Sequence, residues 1–177
     1  MTCHVRIEAI VPDGDATHVF DRVQDYERYT EYTDTVRSVT VTPAGTDGTD
    51  GTDRTGGTHR TARTAIVESA WEVHFRSGLL RWTERDVMDP VARRITFDQL
   101  TGDFASFAGT WDITETGTDV SVLFTCEFDL GIPSLEPIIN PVAMRALDES
   151  MGLILRGLLG EDIRLTGSRH DTAAAMR

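Results

Sequence analysis

Apolar and polar residues alternate from the third position of the chain. In residues 3–11, Val5, Ile7, Ala9 and Val11 share one face and His4, Arg6 and Glu8 the other, the period of two that a half-buried strand requires. Pro12, Asp13 and Gly14 break the pattern, and Asp15 stands where a helix N-cap is expected. Val19, Phe20 and Val23 then recur at helical spacing, and Tyr26, Tyr29 and Tyr32 follow at steps of three, which predicts two short helices. The tyrosines suit a seal along the edge of a core; the alternative is a hydroxyl pointing into a cavity mouth.

Residues 35–42 read as a second strand. The Gly-Thr-Asp repeats that follow, through residue 57, are turn-rich and read as a flexible hairpin loop. Their Asp spacing matches neither an EF-hand nor the calcium-binding nonapeptide repeat. Five further runs have period two: 61–75, 79–89, 94–101, 104–115 and 118–129. Their apolar faces carry Trp71, Val73 and Phe75, then Leu80, Trp82 and Met88 with Glu84 and Asp86 between them. Ile95, Phe97 and Gln99 follow, then Phe107 and Trp111, and last Val120, Val122, Phe124, Cys126 and Phe128. One apolar face per strand is the signature of a one-sided antiparallel sheet.

Gly131 to Ser134 ends the sheet. Asn140 as N-cap and Pro141 at the first helical position predict a helix to about Leu159, stopped by Gly160. Val142, Ala143, Ala146, Leu147, Ser150, Leu153, Ile154 and Leu158 form its apolar stripe. The expected architecture is α+β: a strand, two short helices, six more strands and one long covering helix, with residues 1–165 as a single domain and 166–177 as a frayed tail. A long sheet covered by a single helix tends to enclose a ligand cavity.

Charge narrows the partners. The 177 residues carry a formal net charge of -12, which argues against binding nucleic acid through phosphates and against docking on anionic lipid. All seventeen basic residues are Arg, a hint of a GC-rich genome. Cys3 and Cys126 form no CxxC pair and read as buried thiols in a reducing compartment. The N-terminus shows no signal-peptide core and no run is long enough to span a membrane, so a cytoplasmic location is expected. The five histidines have no metal-ligand spacing, and nucleophile-elbow, phosphate-loop and dinucleotide motifs are all lacking, so no metal or cofactor is expected.

Candidate chemistry lies on the apolar face. Glu84 and Asp86 sit two positions apart beside Trp82. In an apolar cavity, desolvation and mutual repulsion raise carboxyl pKa values, which suits general acid–base work such as an aldol-type cyclisation or a dehydration. The bland alternative is neutralisation by arginines or emergence into solvent. The candidate ligand-binding set is Trp71, Val73, Phe75, Trp82, Phe97, Gln99, Phe107, Trp111, Phe124, Cys126 and Phe128 on the strands, with Val142, Ala146 and Ser150 on the helix. Their aromatic rings can stack on a flat polycyclic molecule or simply fill a core. Gln99 can orient a ligand carbonyl or satisfy a backbone group. Gly152 and Gly157 in the helix point to close packing or room for a ligand.

The segments RWTERDVMDP, RITF, GDFASFAGTW and FDLGIP, with the final helix, resemble the START-like, birch-pollen-allergen-like superfamily that includes polyketide cyclase/dehydrase proteins. The resemblance covers about residues 3–160. It implies a helix-grip fold, in which a curved seven-stranded antiparallel sheet wraps around a long C-terminal helix with an apolar cavity between them. It also implies a hydrophobic small-molecule ligand: an aromatic polyketide, a quinone, a sterol or another lipid. START-domain proteins of enediyne clusters, some implicated in self-resistance, look similar, as do coenzyme-Q-binding and ribosome-associated branches. The acidic charge makes ribosome binding the poorest match. Asp86 stands where a cyclase of the tetracenomycin type carries a pocket arginine, and Val36 near where that type carries a pocket tyrosine. Those departures favour a binder, sequestering or carrying its ligand, over an enzyme with the usual cyclase groups.

Overall fold

In a computed structural model, residues 2–47, 63–75 and 78–166 are described. Most of the Gly-Thr-Asp segment and the tail from residue 167 onward lie outside the described residues. The strands are β1 (Cys3–Val11), β2 (Val36–Asp47), β3 (Thr64–Phe75), β4 (Gly78–Asp89), β5 (Arg94–Gly102), β6 (Ser106–Thr116), β7 (Asp119–Asp129) and β8 (Arg164–Thr166). They form a single antiparallel sheet in the order β2-β3-β4-β5-β6-β7-β1-β8. Seven of the eight strands follow the predicted alternation. β8 is an addition: three residues pair with Glu8, Ala9 and Ile10 at the free edge of β1. A three-residue strand is too short to show a period, so only the tertiary edge reveals it.

Helices α1 (Ala16–Gln24) and α2 (Tyr29–Tyr32) lie between β1 and β2, joined by a 3-10 turn, Tyr26–Arg28. Asp15 caps α1 as expected, its carboxylate accepting from the His18 N–H at 2.7 Å. The long helix α3 spans Glu136–Leu159, about 36 Å at 1.5 Å per residue. It starts four residues before the predicted cap. Leu135, at the end of a 3-10 turn, precedes it, and a proline occupies its first turn, where a missing N–H costs nothing. Asn140 is therefore not a cap but a buried residue inside the helix, and Pro141 lies in its interior. The proline-at-start rule found the wrong one of two prolines four residues apart.

The buried row of α3 is Ala143, Ala146, Met151, Ile154, Leu155 and Leu158. It packs on the concave face of the sheet with the inward residues of β1, β5, β6 and β7. Two glycines set close approaches. A Cβ on Gly157 would fall 2.3 Å from the Tyr32 carbonyl oxygen, so its absence lets α3 lie against α2. A Cβ on Gly109 would fall 2.1 Å from the Thr125 carbonyl oxygen and 2.5 Å from Cζ of Phe97, so Gly109 makes room for the Phe97 ring across β5 and β6. Gly152 has only an ordinary contact with Leu165 of β8. Arg22 of α1 ties down the same C-terminal end of α3, donating to the Leu158 carbonyl at 2.9 Å and to the Tyr32 hydroxyl at 3.0 Å.

Candidate functional site

A cavity lies between α3 and the sheet. Its sheet wall is Trp71 and Val73 of β3, Trp82 and Glu84 of β4, Phe97 of β5, Phe107 and Trp111 of β6 and Phe124 of β7. Tyr26 and Tyr29 close one side, and Leu147, Ser150, Met151 and Ile154 of α3 form the roof. The rings are ordered against one another. Trp71 stacks on Trp82 with centroids 5.9 Å apart and planes 9° from parallel, and Phe97 stacks on Phe124 at 5.8 Å and 11°. Aligned rings of this kind present flat apolar walls.

The period of two along β4 turns Trp82, Glu84 and Asp86 inward together. Glu84 is 4% exposed and Asp86 0%. The arginines of β4 take the opposite face, where Arg81 pairs with Glu72 and Arg85 with Glu68. Neutralisation of the two inward carboxyls by arginines is thereby ruled out. Their partners are neutral donors instead. The Trp82 indole N–H donates to Glu84 Oε2 at 2.7 Å. Asp86 accepts from the Ser69 hydroxyl at 2.6 Å and from the Tyr26 hydroxyl at 3.0 Å, and Ser69 in turn accepts from the Trp71 indole N–H at 2.8 Å.

This environment separates the two acids. Burial, then the charge of Asp86, pushes the Glu84 carboxyl well above the usual range, and the bond from Trp82 only partly opposes it. Burial raises Asp86 too, but the hydroxyls of Ser69 and Tyr26 and a bond with Glu84 hold it to about 6. Of the two, Glu84 holds its proton more tightly and Asp86 is the member that ionises first. Glu84 faces the cavity and Asp86 stands behind it. Burial and the neighbouring carboxyls also raise the Tyr26 and Tyr29 phenols, which stay protonated.

Nine of the candidates line the cavity: Trp71, Val73, Trp82, Glu84, Phe97, Phe107, Trp111, Phe124 and Ser150. Asp86 is one hydrogen bond removed. Cys126 and Phe128 are buried in the core toward β1, outside the cavity wall, where Cys126 pairs with Val5 and burial raises its thiol pKa. Phe75 is half-buried at the end of β3, and Ala146 is buried in the core without lining the cavity. Val142 is a correction: it is 42% exposed. Leu153, from the same predicted stripe, is also exposed. The predicted stripe took in apolar residues from the margin of the buried face, and the true buried row includes Met151 and Leu155. Gln99 bonds the Phe104 carbonyl through its amide nitrogen.

Sequence reasoning missed Ser69, which is fully buried beneath Asp86. The available signal was a serine at an inward position of β3, in phase with Val67 and Trp71. It also left open which tyrosine mattered. Tyr26 and Tyr29 both line the cavity, and Tyr26 reaches Asp86, sixty residues away in sequence. Val36 is buried in β2 opposite Val73. Among the described residues, no group of three or more His, Cys, Asp or Glu could hold a metal ion, and no helix is long and apolar enough to cross a membrane.

Comparison with known proteins follows the same lines. The family model described as polyketide cyclase/dehydrase and lipid transport matches residues 13–151. No curated protein matches the chain. Among solved structures, a Thermus thermophilus protein superposes with a TM-score of 0.69 at 24% identity, covering 88% of this chain and 93% of its own. An aromatase/cyclase from a Streptomyces species gives 0.69 at 17% identity, covering 91% and 93%. A START superfamily protein of Mycobacterium smegmatis gives 0.64 at 14%, covering 89% and 96%. The fold is thus the helix-grip arrangement of START-like proteins, here with eight strands.

Proposed function

The chain belongs to the polyketide cyclase/dehydrase and lipid transport family, and we propose that it binds a flat, largely apolar, polyketide-like aromatic molecule and acts on it through Glu84. The supporting observation is a buried carboxyl facing an aromatic-walled cavity, its pKa raised by burial, and backed by a second carboxyl that ionises first. In that arrangement Glu84 is a general acid and Asp86 the base that keeps its proton in place. In the dehydration of a β-hydroxy ketone, the acid delivers its proton to the departing hydroxyl. Water leaves, and the Glu84 carboxylate so formed takes the α-proton, so charge and atoms balance and the acid is restored. The ordered rings of the sheet wall hold the folded substrate while this happens.

The space open to the centre of a water molecule is about 60 Å³. That accommodates a few waters rather than a polycycle. Binding therefore requires the roof to yield. Met151 and Leu147 are the side chains suited to it, since an unbranched thioether repacks easily.

A second reading is sequestration or carriage without turnover, in self-protection or transfer within specialised metabolism. It is favoured by the lining, which includes no Arg, Lys or His to stabilise an enolate oxygen. The test is native mass spectrometry of protein purified from its own host, followed by turnover assays of whatever ligand is found. An aromatic polyketide mass with turnover lost in Glu84→Gln, but binding kept, supports the acid–base reading. Binding without turnover in the unmutated protein supports sequestration. A quinone or lipid mass replaces both with a chaperone role.

A further inference from the structure

We infer that Gln99 selects among aromatic ligands, favouring those that carry a hydroxyl donor over those with only carbonyl or ether oxygens. The inference rests on the reading that the cavity takes a flat aromatic molecule. Gln99 continues the inward row of Ile95 and Phe97 on β5 and pairs across the sheet with Glu84, next to a register shift in which Leu100 of β5 is the extra residue. Its Nε2 donates to the Phe104 carbonyl at 3.0 Å. That bond fixes the amide, because the flipped form would set oxygen against oxygen. With the nitrogen committed, Oε1 is buried and has no hydrogen-bond partner, alone in this among buried side-chain atoms of the described residues.

A buried amide oxygen without a donor is destabilising, and native structures tolerate few. Its position explains why one is kept here. Gln99 is not part of the cavity wall as it stands, but it neighbours two residues that are, Phe97 along the strand and Glu84 across it. A ligand lying along Phe97 and Phe107 toward Phe104, which stacks on Phe107 at 4.9 Å, brings its edge to this oxygen. An amide oxygen only accepts. The matching group is a phenol or enol O–H; a quinone carbonyl or an ether oxygen in that place leaves two acceptors facing each other. The ligand class is thereby narrowed to hydroxylated aromatics.

The test is calorimetric titration with 2-naphthol and 2-methoxynaphthalene, which share a ring system and differ in the donor. The native protein is expected to bind the naphthol about tenfold more tightly, the worth of one buried hydrogen bond. In Gln99→Met the two affinities should converge while that of the ether is kept. Equal affinities in the native protein, or a preference that survives Gln99→Met, overturn the inference and leave the aromatic-binding reading intact. Failure of both probes to bind overturns that reading and the inference with it. Should Gln99→Met not fold, glutamine-selective carbon labelling of the native protein decides. The chain has two glutamines, Gln24 and Gln99. The Gln99 side-chain carbonyl resonance should move with the naphthol and not with the ether, with Gln24 as the internal reference.

Discussion

Replacing Asp86 by Asn should flatten the dependence of stability on pH between about 4 and 6. In the fold, burial holds the Asp86 carboxyl at about 6, against an ordinary value of 3.8. Across that interval the folded protein binds a proton that the unfolded chain has already released. Stability therefore falls as pH rises, the opposite of the usual ion-paired aspartate. A shift of about two units, at 1.36 kcal/mol each, is on the order of 3 kcal/mol, present in full below pH 4 and gone above pH 6. Asn cannot ionise, so it has no such fall. It does lose acceptor capacity: Asp86 accepts from both Ser69 and Tyr26, and Asn must turn its NH₂ toward one of them. That costs about 1 kcal/mol at every pH. Urea unfolding of both proteins from pH 4 to 8 gives the difference curve, in which the carboxyls remote from the Asp86–Glu84 pair cancel. The native protein's advantage over Asp86→Asn should shrink by about 3 kcal/mol in all and reverse sign near pH 4.5, where the first ~1 kcal/mol has been lost. A difference that is constant with pH, or that grows as pH rises, would refute the assignment of Asp86 as an acid kept from ionising by burial.

Glu84→Gln imitates the protonated acid, with an oxygen for the Trp82 indole N–H and an NH₂ for Asp86; it should keep the fold and gain stability over the native protein as pH rises above about 4.5, read by thermal melts in a pH series. Trp82→Phe removes the main hydrogen bond that favours the Glu84 carboxylate, so carbon-detected titration should find Glu84 ionising at still higher pH, and an unchanged or lower midpoint would contradict the geometry. Gly157→Ala should destabilise by more than the ~1 kcal/mol that alanine gains in helix propensity, because the new methyl meets the Tyr32 backbone oxygen; a rise in melting temperature would show that α2 and α3 are not so closely apposed. Gly109→Ala should cost about 1–3 kcal/mol or more in chemical denaturation, since both a carbonyl and the Phe97 ring block the added carbon.

Sequence by itself determined the strands. Their period of two is a one-dimensional signal, because successive side chains in a strand must point to opposite faces. It therefore placed Trp82, Glu84 and Asp86 on one side of β4 and the arginines on the other before any partner was known. It determined the presence of a long helix before Gly160 but not where that helix begins: a proline is tolerated in a first turn and survives inside a helix, and only the three-dimensional structure, with its exposed 3-10 turn leading into Glu136, distinguishes the two. The apolar spacing likewise took Val142, at the margin of the buried face, into the predicted wall and left Met151 out of it.

What tertiary structure alone decided is which acid does what. Glu84 and Asp86 are alike in sequence, two residues apart with the same chemistry. They differ because Ser69 and Tyr26 converge on Asp86 from β3 and the turn after α1, while Glu84 meets an indole and the cavity. The same is true of Gln99, whose nitrogen meets the Phe104 carbonyl while its oxygen meets no donor. A pKa or an unsatisfied acceptor is a property of what surrounds a group, and those surroundings are assembled from segments that the chain order keeps far apart.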